Sequence, residues 1–224
     1  MIISSHGIGH FDRGINNQDF RFETSRMLLV LDGCTEAKLS EVGTRLFTQL
    51  FSQKEECDKL EKFEDNVKEV FDNLVKIMGK FYPNEETLVQ EFIMENLLFT
   101  IIACFEEKDR YVLKLFGDGY IIAKNNRGAI SYMKFSYGKC PPYYAYRYCN
   151  MNFSKEFKTF SFDKKIFPKI AIATDGIVPI VKGEIPGFDS LLFEGNNALI
   201  QASIKNLRQI FFDDVTIAMF GGKT

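Results

Sequence analysis

The 224-residue sequence has no tryptophan, two histidines and six prolines, and no apolar run near the ~20 residues a membrane span needs. Scarce histidine narrows the catalytic options. A Ser-His-Asp or Cys-His arrangement would have to use His6 or His10. The five cysteines, Cys34, Cys57, Cys104, Cys140 and Cys149, form no CxxC pair, and the last four have no histidine nearby. Zinc spacing is therefore missing, and most of these residues are expected to be buried thiols in a reducing compartment. A formal charge of −2 provides no broad basic field, so nucleic acid is not the expected partner. The first residues lack the basic and apolar stretches of a signal peptide, which suggests a cytoplasmic protein with no membrane partner. No repeat, low-complexity tract or Pro/Gly-rich linker interrupts the chain, so residues 1–224 read as a single domain.

Apolar residues make up 46 % of the chain, and phenylalanine, with 23 copies, is the main core builder. Met27–Leu31 is a short, wholly apolar run, the pattern of a strand covered on both faces. Leu39, Val42, Leu46 and Leu50 then follow helical spacing, with Gly43 on the same face. Leu60, Phe63, Val67, Val70, Phe71, Leu74, Met78 and Phe81 form a longer stripe that Gly79 and Pro83 bring to an end. Both stripes are expected to pack on a sheet. Strands are predicted over Asn96–Glu106, Arg110–Gly117, Tyr120–Lys124, Phe157–Phe162, Ile170–Thr174 and Val215–Phe220. Asn125-Asn126-Arg127-Gly128 reads as a turn, and Asn196 or Asn197 as the cap of a helix carrying Leu199, Ala202 and Leu207. Hairpins and helices in blocks, rather than a βαβα alternation, predict two antiparallel sheets packed together and covered by helices. The expected class is α+β, a four-layer α/β/β/α sandwich. The tyrosine-rich segment Tyr132–Phe153 has no clear period and reads as a packed surface loop or a substrate-facing flap.

Four acidic sites adjoin apolar runs: Asp32-Gly33, Asp118-Gly119, Asp175-Gly176 and, after Ile210–Phe212, Asp213-Asp214. A single Asp-Gly is a common turn dipeptide, because both residues tolerate positive φ. Four such sites delivered to one sheet edge would repel one another unless cations neutralised them. Oxygen ligands without thiolate or imidazole suit Mg²⁺ or Mn²⁺.

Read with their flanks, these sites fall into an ordered series. Gly7-Ile8-Gly9-His10 and Gln18-Asp19 come first, then Val30-Leu31-Asp32-Gly33 and Ser40-Glu41-Val42-Gly43. Phe116-Gly117-Asp118-Gly119, Ala173-Thr174-Asp175-Gly176-Ile177 and Asp213-Asp214-Val215-Thr216 follow. In this order the chain resembles the metal-dependent Ser/Thr protein phosphatases, the protein phosphatase 2C-like family, in a bacterial-type branch. The resemblance implies a central β-sandwich flanked by helices, with a binuclear Mn²⁺/Mg²⁺ centre and a metal-activated water that attacks the phosphorus directly. Carried onto this chain, it makes Asp32 the bridge between two ions, the Gly33 carbonyl a ligand of one, and Asp175 and Asp213 the completion of that ion's shell. Asp19 would hold bound waters, and Asp118 would match an aspartate associated with a third, weaker ion. Asp214 stands where many members have asparagine, which ranks Asp213 above it as a ligand. The partners implied are a phosphorylated protein and a cognate Ser/Thr kinase, in a signalling role.

The chain departs from that family in several places, one of them Gln18, which cannot act as a carboxylate, a change many bacterial relatives share. Many members have an arginine five residues before the first-motif aspartate to grip the phosphate; here Gly14 stands there, and Arg13 lies one residue earlier. His10 or Arg13 is the expected phosphate ligand. Cys34 occupies the position where eukaryotic members have a proton-donating histidine, and Thr35-Glu36 replace small glycines. These departures motivate an alternative: a catalytically weak phosphatase-like domain that binds a phosphoprotein or a partner kinase. A third reading makes the acidic tips unrelated turns of a structural β-rich protein.

Overall fold

The structure is a computed structural model, and it describes residues 2–137, 141–149, 155–194 and 197–220. Two five-stranded antiparallel sheets form its centre. One contains β1 (Ile2–Ser5), β6 (Gly119–Lys124), β7 (Ile130–Phe135), β9 (Lys169–Ala173) and β10 (Val215–Met219), in the order β1-β10-β9-β6-β7. The other contains β2 (Phe20–Glu23), β3 (Met27–Gly33), β4 (Phe99–Glu106), β5 (Arg110–Phe116) and β8 (Lys158–Asp163), in the order β2-β3-β4-β5-β8. The helices are α1 (Ile8–Asp12), α2 (Ser40–Ser52), α3 (Phe63–Phe81), α4 (Glu86–Asn96), α5 (Val178–Val181), α6 (Phe188–Glu194) and α7 (Asn197–Asn206).

Side-chain alternation along the strands builds three apolar layers. In β3, Leu28 and Val30 point between the sheets, where they join Ile102, Cys104, Ile121, Ile172 and Ala218. Met27, Leu29 and Leu31 point the other way, under Phe47, Phe63, Val67 and Phe71 of α2 and α3. On the far side, Ile122, Ala171 and Ile217 pack beneath Leu192, Ile200 and Ile204 of α6 and α7. The expected α/β/β/α sandwich is what the chain forms. Strand β3 is covered on both faces, which is why Met27–Leu31 is apolar without a break.

The α2 stripe turns out differently from its expected place on the sheet. Leu39, Val42 and Leu46 are 46 %, 38 % and 41 % exposed, whereas Gly43, expected on their face, is buried instead with Thr44, Phe47, Thr48 and Phe51. Close approach decides the face. A Cβ on Gly43 would lie 1.7 Å from the Asn96 carbonyl oxygen, so α2 is pulled onto the end of α4 along its glycine side. The α3 stripe does pack on the sheet from Phe63 to Leu74, but Phe81 at its end is exposed.

Several elements lack a sequence signal. Helix α4 occupies part of what reads as a lead-in to the next strand, which begins at Phe99 rather than Asn96. β1, β2, α1, α5 and α6 are short, and β7 runs into the segment read as aperiodic. Ile210–Phe212 is no strand: Arg208–Ile210 is a 3-10 turn, and the residues after it loop into β10. The rest of the tyrosine-rich segment includes a 3-10 turn, Tyr144–Tyr148, whose Tyr144 packs on Phe71 and Phe116. Cys140, residues 150–153 and the candidate cap Asn196 lie outside the described residues.

Candidate metal centre

The strand ends carry the acidic residues to one place. Asp32 is near the C-terminal end of β3, Asp118 follows β5, and Asp175 follows β9. Asp213 precedes β10, which runs antiparallel to β9, so the start of one strand lies beside the end of the other. Asp118-Gly119 is not a hairpin turn; it is where the chain crosses from one sheet to the other. Gly176 draws two of these tips together, since a Cβ there would meet the Asp214 carbonyl oxygen at 1.9 Å.

Asp32, Gly33, Asp118, Asp175 and Asp213 line one cavity of about 230 Å³, with Cys34, Thr35, Glu36, Thr100, Pro141 and Tyr143 as its remaining wall. A larger groove of about 450 Å³ elsewhere, between Leu60 and Arg110, gathers no comparable set of carboxylates. There Lys114 is within 2.6 Å of Glu64.

Electrostatics in the acidic cavity are unfavourable without cations. Burial, then repulsion from Asp118 and Asp213, raises the Asp175 carboxyl to about 6, and Lys134 opposes that rise. Asp32 is pushed well above the usual carboxylate range, by burial first and then by Asp19, Asp175, Asp213 and Asp118. Burial also raises Asp118 and Asp213. Thr100 Oγ1 in the wall and Gln18 Oε1 near it are buried with no hydrogen-bond partner. Orphaned oxygens beside crowded carboxylates form an all-oxygen donor set, and they fit hard divalent ions and their waters.

Asp19 does not line this cavity. It is buried and accepts a hydrogen bond from Thr174 Oγ1 at 3.0 Å, while its own N–H donates to Asn17 Oδ1 at 2.9 Å. Burial and the Asp214 charge push its carboxyl well up.

Asp214 has a different task from its neighbour. The Asp213 side chain is 40 % exposed, whereas that of Asp214 is 2 % exposed. Asp214 Oδ1 accepts the Gly7 N–H at 2.8 Å. Its Oδ2 accepts the Gln18 N–H at 2.7 Å and His10 Nδ1–H at 2.9 Å. One carboxylate thus ties three points of the N-terminal loop to the start of β10. Sequence reasoning missed this role, because the partners stand some two hundred positions away. His10, Asp213 and Asp214 bring ligand atoms within 4.8 Å of one another, but the Asp214 oxygens are already committed to N–H donors.

The two residues expected to grip phosphate are placed unequally. His10 is buried, with Nε2 3.2 Å from Thr35 Oγ1 and 3.5 Å from Asp213 Oδ1. Its hydrogen bond to Asp214 raises its pKa, although burial works against that. Arg13 is exposed, with its guanidinium 5.8 Å over the Phe212 ring. Cys34 is buried in the wall, its thiol 3.1 Å from Glu36 Oε2, and burial raises its pKa. A thiol held protonated is a packing group rather than a nucleophile. Among the described residues, no helix is long and apolar enough to cross a membrane.

Comparison with known proteins agrees with this geometry. A family model described as protein phosphatase 2C matches residues 6–210. No curated protein sequence matches the chain. Among solved structures, a bacterial serine phosphatase variant aligns over 100 % of this chain and 97 % of its own, with a TM-score of 0.68 and 14 % identity. The catalytic domain of the Ser/Thr phosphatase PstP, solved with two manganese ions, aligns over 98 % and 95 %, with a TM-score of 0.64 and 15 % identity. Stp1 of Staphylococcus aureus aligns over 98 % and 92 %, with a TM-score of 0.65 and 16 % identity. At such identities the neighbours establish the fold, and the family match covers most of the sequence. The chain belongs to the protein phosphatase 2C family of protein-serine/threonine phosphatases.

Proposed function

We propose that this chain is a single-domain, metal-dependent phosphatase that removes phosphate from serine or threonine side chains of a phosphoprotein, using two Mn²⁺ or Mg²⁺ ions. The observation that carries this reading is the cavity that gathers Asp32, Asp175 and Asp213, whose carboxyls are all raised by burial and crowding. Asp32, the Gly33 carbonyl, Asp175 and Asp213 would hold the ions, with Asp118 at a third, peripheral position and Asp19 supporting bound waters. Such ions supply positive charge for the phosphoryl oxygens and lower the pKa of a water.

The protein's own groups do the positioning. Asp214 holds His10, Gly7 and Gln18 against β10, and His10 Nε2 in turn faces Asp213 and Thr35. Of the two phosphate-ligand candidates, His10 lies 3.5 Å from Asp213 of the acidic cavity, whereas the Arg13 guanidinium lies over the Phe212 ring. Pro141 and Tyr143 close one wall. A cytoplasmic signalling role opposite a Ser/Thr kinase is part of this reading.

The test is turnover of a panel of phosphoserine and phosphothreonine peptides with Mn²⁺, with Mg²⁺ and with a chelator. Activity should require the divalent ion and fall at least ~100-fold in Asp175→Asn. Unchanged turnover in that variant would remove the assignment. Tight binding of metal and phosphopeptide with no turnover would support a phosphopeptide-binding domain instead.

A further inference from the structure

A second groove, of about 330 Å³, opens beside the acidic cavity and shares Asp175 and Asp213 with it. Its other walls are apolar: Val178, Pro179, Ile210 and Phe212. Gly176, Lys182 and Glu184 complete the lining, and with Asp175 and Asp213 included the carboxylates outnumber the single lysine.

Phe212 is the unusual member. It is 67 % exposed, although Phe211 before it is buried and Asp213 after it lines the acidic cavity. Its backbone is held on α1: Gly9 N–H donates to the Phe212 carbonyl at 2.9 Å, and Ile8 N–H to that of Phe211 at 2.9 Å. The ring rests on Gly9, where a Cβ would come within 3.0 Å of two ring atoms, and the Arg13 guanidinium lies over it. The ring is therefore supported before anything binds, so little side-chain freedom is lost on contact. A rigid, exposed aromatic at the lip of a candidate active site has the character of a binding anchor.

We propose that this groove binds an apolar side chain flanking the phosphorylated residue of the substrate, with Phe212 as its platform. The proposal rests on the reading of the acidic cavity as a phosphatase centre. Asp175 and Asp213 face both spaces, so a peptide whose phosphoryl group enters the cavity brings its neighbouring residues over their rim. An extended chain advances about 3.3 Å per residue, which sets a flanking side chain down close to the phosphoresidue. The crowded carboxylates disfavour an acidic neighbour, and the apolar walls favour a large aliphatic or aromatic one.

The experiment measures kcat and KM, with Mn²⁺, on phosphoserine peptides that differ only in the residues beside the phosphoserine: leucine or phenylalanine, glycine, or aspartate. The wild-type protein should favour the large apolar neighbours over glycine by about tenfold or more in kcat/KM, mainly through KM. Phe212→Ala should bring that ratio close to one, and Phe212→Leu should keep most of it. Val178→Asn, at another lining residue, should reduce it independently, with circular dichroism reporting the fold of each variant. A flat preference in the wild-type protein, or one that persists in Phe212→Ala, overturns the groove while leaving the phosphatase reading in place. Absence of turnover on every phosphopeptide overturns both.

Discussion

At the residue scale, the site divides labour between two adjacent aspartates. Asp213 faces the cavity, and Asp214 accepts three N–H donors within the frame. Asp214→Ala would leave buried donors on Gly7, Gln18 and His10 unpaired, at a cost of about 3 kcal/mol or more. Asp214→Asn keeps the acceptor oxygen for one side of that network and should cost about 1 kcal/mol. Urea unfolding of the two variants measures the difference, and equal losses would contradict the network. Asp175 makes the opposite prediction for stability. Its carboxyl rises to about 6 from an ordinary value near 3.8, so the folded, metal-free chain binds its proton more tightly than the unfolded chain. This raised pKa therefore costs stability as pH rises from about 4 to about 6, and the cost is complete above that. In chelator at pH 7 to 8, Asp175→Asn should be more stable than the wild-type protein by on the order of 1–3 kcal/mol, a gap that closes near pH 4. Thermal unfolding across that range checks both the sign and the window.

At the scale of elements, α2 shows how a contact overrides a pattern. Its apolar stripe suits a sheet-facing helix, but the glycine side docks instead, because only there can the helix meet the α4 end so closely. Gly43→Ala should therefore destabilise the protein by about 1–3 kcal/mol through overpacking against Asn96. Leu46→Gln, on the exposed side, should change stability by no more than about 0.5 kcal/mol. A large loss at Leu46 with none at Gly43 would restore the sheet-facing stripe. Helix α4 escaped notice because its buried residues, Ile93 and Asn96, are few, and its remaining apolar residues are spread around the helix. Strands β3, β4, β6, β9 and β10 are legible because two-sided coverage leaves a nearly unbroken apolar run, and β5 because only Lys114 interrupts the apolar residues after Arg110. The apolar run before Asp213 has another origin. Phe211 plugs the helix-side core while Phe212 stays on the surface.

At the scale of the whole molecule, two sheets bring carboxylates from four separated stretches of chain to one edge, and their repulsion strains the metal-free fold. Divalent ions should relieve it. Mn²⁺ at a hundredfold excess over its Kd would add about 2.7 kcal/mol per site and raise Tm by several degrees. Asp32→Asn should remove most of that gain, as a differential scan in Mn²⁺ and in chelator would show. An equal rise in Tm for this variant and the wild-type protein would place the ions elsewhere.

By itself the sequence determined the α+β class, the main strands and the order of acidic tips that marks the family, because burial periodicity and strand-end motifs are local properties. It also singled out Asp32, Asp118, Asp175 and Asp213, which the fold brings to one cavity. Only the tertiary structure decided which face of α2 is buried, that Asp214 ties His10, Gly7 and Gln18 to β10, and that Phe212 stands exposed beside the site. Each of these depends on backbone and side-chain atoms from distant parts of the chain meeting within a few ångströms, a condition that no local pattern of residues encodes.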